Sequence, residues 1–136
     1  MEKRKVQVVI IAKNQLLLLQ VKNRGDAFWQ NITGSVEDNE DFLIGALRET
    51  EEETGIKAPS LIDLGLVFSF TDRFQKVVRE KCYLLYLPKI PEVVLSEEHQ
   101  DFKWIELNKV KETDYKYPSN FEAFKKSIDM LERYKP

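Results

Sequence analysis

The sequence predicts an α/β (α+β) chain, one mixed β-sheet carrying helices, in a single domain over residues 1–136. Three observations predict it. Runs rich in Val, Ile, Leu and Tyr recur along the chain and are bounded by polar turn residues. A central segment changes from alternating to helical period, and a second helical segment closes the chain. With 43% hydrophobic residues among 136, there is enough apolar material to bury a core between such layers.

Residues 6–12 and 16–21 are strand-like, and Lys13-Asn14-Gln15 joins them as a hairpin. A short strand over residues 29–33 leads into the central helix. There Leu43, Ala46, Leu47 and Thr50 follow the helical period and form the stripe that faces a core, Thr50 contributing its methyl group. Asp38 or Asn39 is read as the cap that starts this helix, and Gly55 as the left-handed residue that ends it. Residues 61–71 and 77–87 form a second strand pair joined by residues 72–76, and residues 102–107 make a further strand. Residues 118–134 set Phe121, Phe124, Ile128 and Leu131 at helical spacing, an amphipathic helix whose aromatics belong to the core. Trp29 and Trp104 are read as packing residues, and Cys82, within KCYLLYL, as a small buried hydrophobe.

Composition narrows the function classes. There is no apolar run of the ~18 residues that a membrane span needs, and the N-terminus passes directly into a strand pattern without a signal-type cleavage region, so a cytoplasmic protein is expected. The single cysteine forbids an internal disulfide. A net charge of −2 argues against unselective binding of extended nucleic acid.

The central helix carries the chemistry. From Gly34 the chain runs five residues to Glu40, seven more to Arg48, and then Glu49-Thr50-Glu51-Glu52-Glu53-Thr54-Gly55-Ile56. Residues three and four apart share a helix side, so Glu49, Glu52 and Glu53 project together. Neighbouring like charges destabilise a helix and raise one another's pKa, so a cation should sit among them. Carboxylate ligation without histidine points to a hard, oxygen-seeking ion, Mg²⁺ or Mn²⁺, bridging protein carboxylates to phosphate. Arg48, next to Glu49 and one turn from Glu52, can hold a carboxylate by a forked hydrogen bond. A solvated charged helix face is the plainer reading of such a run, but it explains neither the glycines nor the separate Glu40.

This spacing resembles the signature of the Nudix hydrolase superfamily, Gly-x5-Glu-x7-Arg-Glu-U-x-Glu-Glu-x-Gly-U, where U is a bulky apolar residue. Thr50, at the first U, is the one departure. The resemblance implies an α/β/α sandwich over nearly the whole chain and hydrolysis of a nucleoside diphosphate linked to another group, with divalent cations. It implies Glu49, Glu52 and Glu53 as metal ligands, Glu49 or Glu53 also activating water, the Gly34 carbonyl as a further ligand and Arg48 as the orienter of Glu49. Glu40 and Gly55 become structural members of the motif, Glu40 with a metal role also open.

FWQNITGSVE (residues 28–37) and EHQDFKW (residues 98–104) are similar to the corresponding segments of bacterial dihydroneopterin triphosphate pyrophosphohydrolases, which also act on nucleoside triphosphates. That likeness implies Glu98 as a metal ligand from outside the box and favours a small nucleotide or pterin triphosphate as substrate. Dinucleoside polyphosphates and RNA 5′ ends are the alternatives within the superfamily, and a non-catalytic nucleotide-binding module is the alternative outside enzymes. Among contacts to substrate, Lys22 and Lys5 are assigned near the phosphates, Thr33 as a further substrate contact, and Phe28 and Phe74, with Phe70, as stacking partners for the ring. Lys3 and Arg24 near the first hairpin, and Arg73, Lys76, Arg79 and Lys81 near the second, are further cations of either phosphate-binding or plain surface type. His99 is set aside as a structural or exposed loop residue in favour of Glu98. A homodimer is left open.

Overall fold

A computed structural model describes residues 2–22 and 27–133. The strands are β1 (Lys3–Ala12), β2 (Gln15–Val21), β3 (Phe28–Gln30), β4 (Ile32–Ser35), β5 (Ile62–Thr71), β6 (Val77–Leu87) and β7 (His99–Glu106), and the helices α1 (Phe42–Thr54) and α2 (Pro118–Arg133). β1 runs parallel to β6 from Lys3 opposite Val78 to Ala12 opposite Leu87, and its other pairings are antiparallel, so the sheet is mixed as expected. On its other edge β1 is shared: β4 pairs with its first half and β2 with its last residues. β2 continues the sheet to β3 and β7, and β6 to β5.

The first hairpin closes through Lys13 and Asn14, both at positive φ (46° and 65°), the two-residue turn whose twist matches that of paired strands. The single strand expected over residues 29–33 is instead two, broken at Asn31. The Asn31 N–H donates to Asn120 Oδ1 (2.7 Å) and not to a ladder carbonyl, and the chain steps there from pairing β2 to pairing β1. The last strand begins three residues earlier than expected, because His99 pairs with Val21 and is buried in spite of its charged surroundings.

Alternation along β1 builds a core on each face of the sheet. Val6, Val8 and Ile10 pack with Leu17, Leu19, Leu85 and Ala46 under α1, while Val9 and Ile11 pack with Leu16, Leu84, Cys82 and Phe124 under α2. Phe121, Ile128 and Leu131 join the second core, as their spacing predicts. Tyr134 lies outside the described residues. Burial pushes the Cys82 thiol well above its ordinary range, which keeps it unreactive. No helix among the described residues is long and apolar enough to cross a membrane.

Two details of α1 correct the expectation. Its cap is Asp41, whose side chain accepts from the Ile44 N–H (2.8 Å); Asp38 and Asn39 form the preceding turn. Leu43 is 39% exposed, and the side that meets the sheet is Gly45, Ala46, Glu49, Thr50, Glu53 and Thr54. The helix therefore presses two of its glutamates inward. Thr50 is fully buried and satisfies its hydroxyl on the Ala46 carbonyl (2.8 Å), which explains how a polar residue fills the aliphatic position. Gly55 ends the helix at φ 75°, its N–H bonded to the Glu51 carbonyl (2.8 Å).

Candidate active site

Arg48 organises the helix and the loop before it. Its guanidinium has five N–H donors, and five acceptors receive them: Glu40 through both oxygens (2.7 and 2.9 Å), Glu49 Oε1 (3.0 Å), Glu52 Oε2 (3.1 Å) and the Ser35 carbonyl (2.8 Å). Glu40 also accepts the Glu37 N–H (2.9 Å). These bonds, the Arg48 fork first, hold the Glu40 carboxyl down at about 2. Glu40 is thus a structural clamp. A depressed carboxylate stabilises the fold fully above its ordinary value of 4.5 and loses that contribution as pH falls towards about 2. Glu40→Gln is therefore expected to lower the urea midpoint at pH 7, with the gap from wild type closing between pH 4.5 and about 2. A gap that stays constant over that range would remove the clamp.

Glu49, 8% exposed, lies against Gly34 so closely that any Cβ there would overlap its carboxyl group. Burial raises its pKa, Arg48 opposes the rise, and the charges of Glu52 and Glu53 add to it. Glu53 is 3% exposed. Its Oε2 accepts from Ser96 Oγ (2.8 Å) and lies 2.6 Å from His99 Nδ1. Burial pushes Glu53 up, but these two partners outweigh it and the carboxyl falls below its ordinary value. The segment that brings them crosses the end of α1, tied by the Val94 N–H to the Thr54 carbonyl (2.8 Å).

Glu98 arrives on the same segment, its N–H donating to the Ser96 hydroxyl (3.3 Å) that in turn donates to Glu53, and the Glu53 charge, then burial, raises its pKa. The Lys22 N–H holds the Glu98 carbonyl (3.1 Å) and so fixes β2 to this corner. Glu52 is exposed and, among the described residues, is paired with Arg48 alone. Among the described residues no three acidic, histidine or cysteine side chains converge as a finished coordination shell. Glu49 is turned to Arg48, and Glu53 to Ser96 and His99. The carboxylates nevertheless suit a hard divalent ion: Glu49, Glu52, Glu53 and Glu98 offer oxygens, and their mutual repulsion is what such an ion relieves.

On the opposite face of β4 opens a cleft of about 480 Å³. Lys5, Phe28 and Thr33 line it, as assigned from sequence, together with Phe70, Tyr117 and Glu80. Phe28 packs edge-on against Tyr117 (5.5 Å, 85°) with Lys116 over its ring (4.4 Å). Thr33 and Gly34 are neighbours on one strand, so the cleft and the carboxylates lie on its two sides.

Phe74 is not part of this cleft: it sits 62% exposed on the β5–β6 turn with Arg73 (4.8 Å) and Lys3 (5.6 Å) over its ring. Lys22 stands at the Glu98 corner and not on the cleft wall. Lys3, Arg79 and Lys81 are paired with Asp72, Glu2 and Asp63, each at 3.0 Å. Arg24 lies outside the described residues. Sequence reasoning missed His99 and Ser96 behind Glu53, and Glu80 and Tyr117 in the cleft. Only the strand period around His99 offered a signal for any of them.

Residues 1–126 match the family model described as NUDIX domain. The chain is 32% identical over 115 residues to the dihydroneopterin triphosphate diphosphatase of Escherichia coli (strain K12), covering 74% of this chain and 76% of that protein. It is 37% identical over 100 residues to the asymmetrical bis(5′-nucleosyl)-tetraphosphatase of Rattus norvegicus, covering 69% of this chain but less than two thirds (65%) of the rat protein. The structure of the E. coli dihydroneopterin triphosphate pyrophosphohydrolase superposes with a TM-score of 0.81 at 29% identity, over 93% of this chain and 95% of that one. The box and its clamp, the α/β/α sandwich and these likenesses agree: the chain belongs to the NUDIX domain family.

Proposed function

We propose that the chain is a Mg²⁺- or Mn²⁺-dependent pyrophosphohydrolase that cleaves a nucleoside or pterin triphosphate, dihydroneopterin triphosphate or a (d)NTP, to monophosphate and pyrophosphate. The observation that carries this reading is the juxtaposition across β4 of gathered carboxylates and an aromatic-walled cleft. Glu49, Glu52, Glu53, Glu98 and the Gly34 carbonyl would hold the metal. When bound, the ion neutralises phosphate charge and makes a water more acidic. Arg48 holds one Glu49 oxygen while the other lies against Gly34, and Glu49 would accept a proton from the attacking water. Ser96 and His99 keep Glu53 ionised and fixed. Phe28 and Phe70 stack on the ring, and Lys5 offers its charge to the phosphates.

The rat relative, named for hydrolysing a bis(5′-nucleosyl) tetraphosphate, supports a dinucleoside polyphosphate as the second reading. An RNA 5′ end fits less well, since among the described residues Lys3, Arg79 and Lys81 are paired with acids and do not form a plain basic track. Product analysis tests the assignment. With Mg²⁺ a triphosphate should yield pyrophosphate and little orthophosphate, because the bond between the two outer phosphorus atoms is not touched. Excess EDTA should stop the reaction. Full turnover in EDTA, or orthophosphate with a diphosphate product, would sink the proposal, and no turnover on any phosphoanhydride would return the chain to the non-catalytic binding class.

A further inference from the structure

The floor of the aromatic cleft holds a carboxyl group that hydrolysis leaves unused. Glu80 lines the cleft yet is only 5% exposed, and it ends a chain of buried hydrogen bonds whose direction follows one amide at a time. Asn31 places a side-chain atom 3.1 Å from the Asn120 carbonyl oxygen. A carbonyl oxygen only accepts, so that atom is the amide nitrogen. The same nitrogen lies 2.7 Å from Gln7, which must therefore turn its own oxygen towards Asn31 and its nitrogen towards Glu80 Oε1 (3.0 Å). At the far end the Tyr115 hydroxyl donates to Asn31 Oδ1 (2.8 Å).

The donations from Tyr115 to Asn31, Asn31 to Gln7 and Gln7 to Glu80 run in one direction, which fixes Oε1 as an acceptor. Oε2 makes no hydrogen bond to the described residues and meets the cleft. Burial pushes the Glu80 carboxyl up, while the Gln7 bond and the Lys5 charge only partly hold it back, so the cleft wall carries an under-compensated acid. A ligand that brings N–H donors compensates it. A ligand that presents a lone pair does not.

We propose that Glu80 reads the polar edge of a flat ring held in this cleft, its carboxylate accepting from the adjacent ring N–H and amino group of a 2-amino-4-oxopyrimidine, the edge that guanine and pterin share. Adenine offers an amino group beside a ring lone pair, and the lone pair would face a carboxylate oxygen. Phe28 and Phe70 supply walls for the ring faces. The specificity inference rests on the hydrolase reading only for the attached phosphates, so the two can fail separately.

Calorimetric titration with GMP and with AMP, without divalent cation, tests it directly. Wild type is expected to bind GMP about 10–100-fold more tightly, the range for a hydrogen bond to a charged group. Glu80→Gln keeps the shape and, with its amide oxygen on the Gln7 N–H, turns its N–H donors to the cleft, where they suit the adenine ring lone pair and oppose the guanine N–H, so the preference should vanish or invert. With Mg²⁺, the ratio of kcat/KM for dGTP over dATP should fall by the same factor. Equal binding of GMP and AMP by wild type overturns the proposal without needing the variant, and so does a folded Glu80→Gln protein that keeps the preference. A GMP preference abolished by Glu80→Gln in a protein without turnover would sustain this proposal and overturn the hydrolase reading. Turnover with an unchanged dGTP:dATP ratio would do the reverse.

Discussion

Glu53→Gln is expected to lower kcat by about 10²–10⁴ while the protein stays folded. The size of the effect follows from what the substitution removes. Glu53 is buried at 3% exposure, and Ser96 and His99 hold it in its charged form at the one corner where Glu49 and Glu98 also gather. Glutamine keeps the volume and an oxygen for the Ser96 hydroxyl, but it removes the negative charge that a divalent ion requires. Stability should fall while the fold persists, because the His99 and Ser96 partners that hold Glu53 ionised outweigh its burial, and relief of the repulsion from Glu98 returns only part of what their loss removes. Steady-state kinetics beside a thermal melt check both halves. A well-folded variant with wild-type kcat would take Glu53 out of the proposed site altogether.

What could be read from the sequence, and what could not, divides by the range of the interaction. The hairpin at Lys13–Asn14, the αL end at Gly55 and the core face of α2 depend on neighbours within a few residues, and their residue types announced them. The Arg48–Glu49 contact was legible for the same reason. The cap of α1 was misplaced because Asp38, Asn39 and Asp41 are locally equivalent; the clamp of Glu40 on Arg48, together with the Arg4 guanidinium bound to the Glu37 and Glu40 carbonyls, selects the last of them. Leu43 follows the helical period of the buried Ala46 and Thr50, yet the buried side of α1 is rotated to include Glu49 and Glu53, where ordinary core reasoning runs backwards. The pairing of His99 with Glu53, and each link of the relay from Tyr115 to Glu80, join residues more than twenty positions apart. Nothing local distinguishes Glu80 from a surface acid. Its meaning comes from Gln7 and Asn31, which the sheet brings beneath it.

Gly34→Ala is the sharpest test of the site, because it adds one methyl group outside every charged residue and acts on the chemistry only through contact. In the folded protein that methyl would overlap the Cδ and Oε2 atoms of Glu49, so the carboxyl must give way. It has little freedom to do so: Arg48 holds its other oxygen at 3.0 Å and is itself committed to four further acceptors. A displacement of about 1 Å at a catalytic group costs on the order of 10²-fold in rate, and overpacking one methyl group costs about 1–3 kcal/mol. The variant is thus expected to melt a few degrees lower, to lose about 10²-fold in kcat, and to keep a KM near that of wild type, since the cleft that binds the ring lies across β4 from the new methyl group. A fall in KM-governed binding with kcat preserved would mean that Gly34 serves the cleft and not Glu49. Wild-type kcat in a folded Gly34→Ala protein would show that the Glu49 carboxyl does not need its place against the β4 backbone, and the role assigned to it would fall with that result.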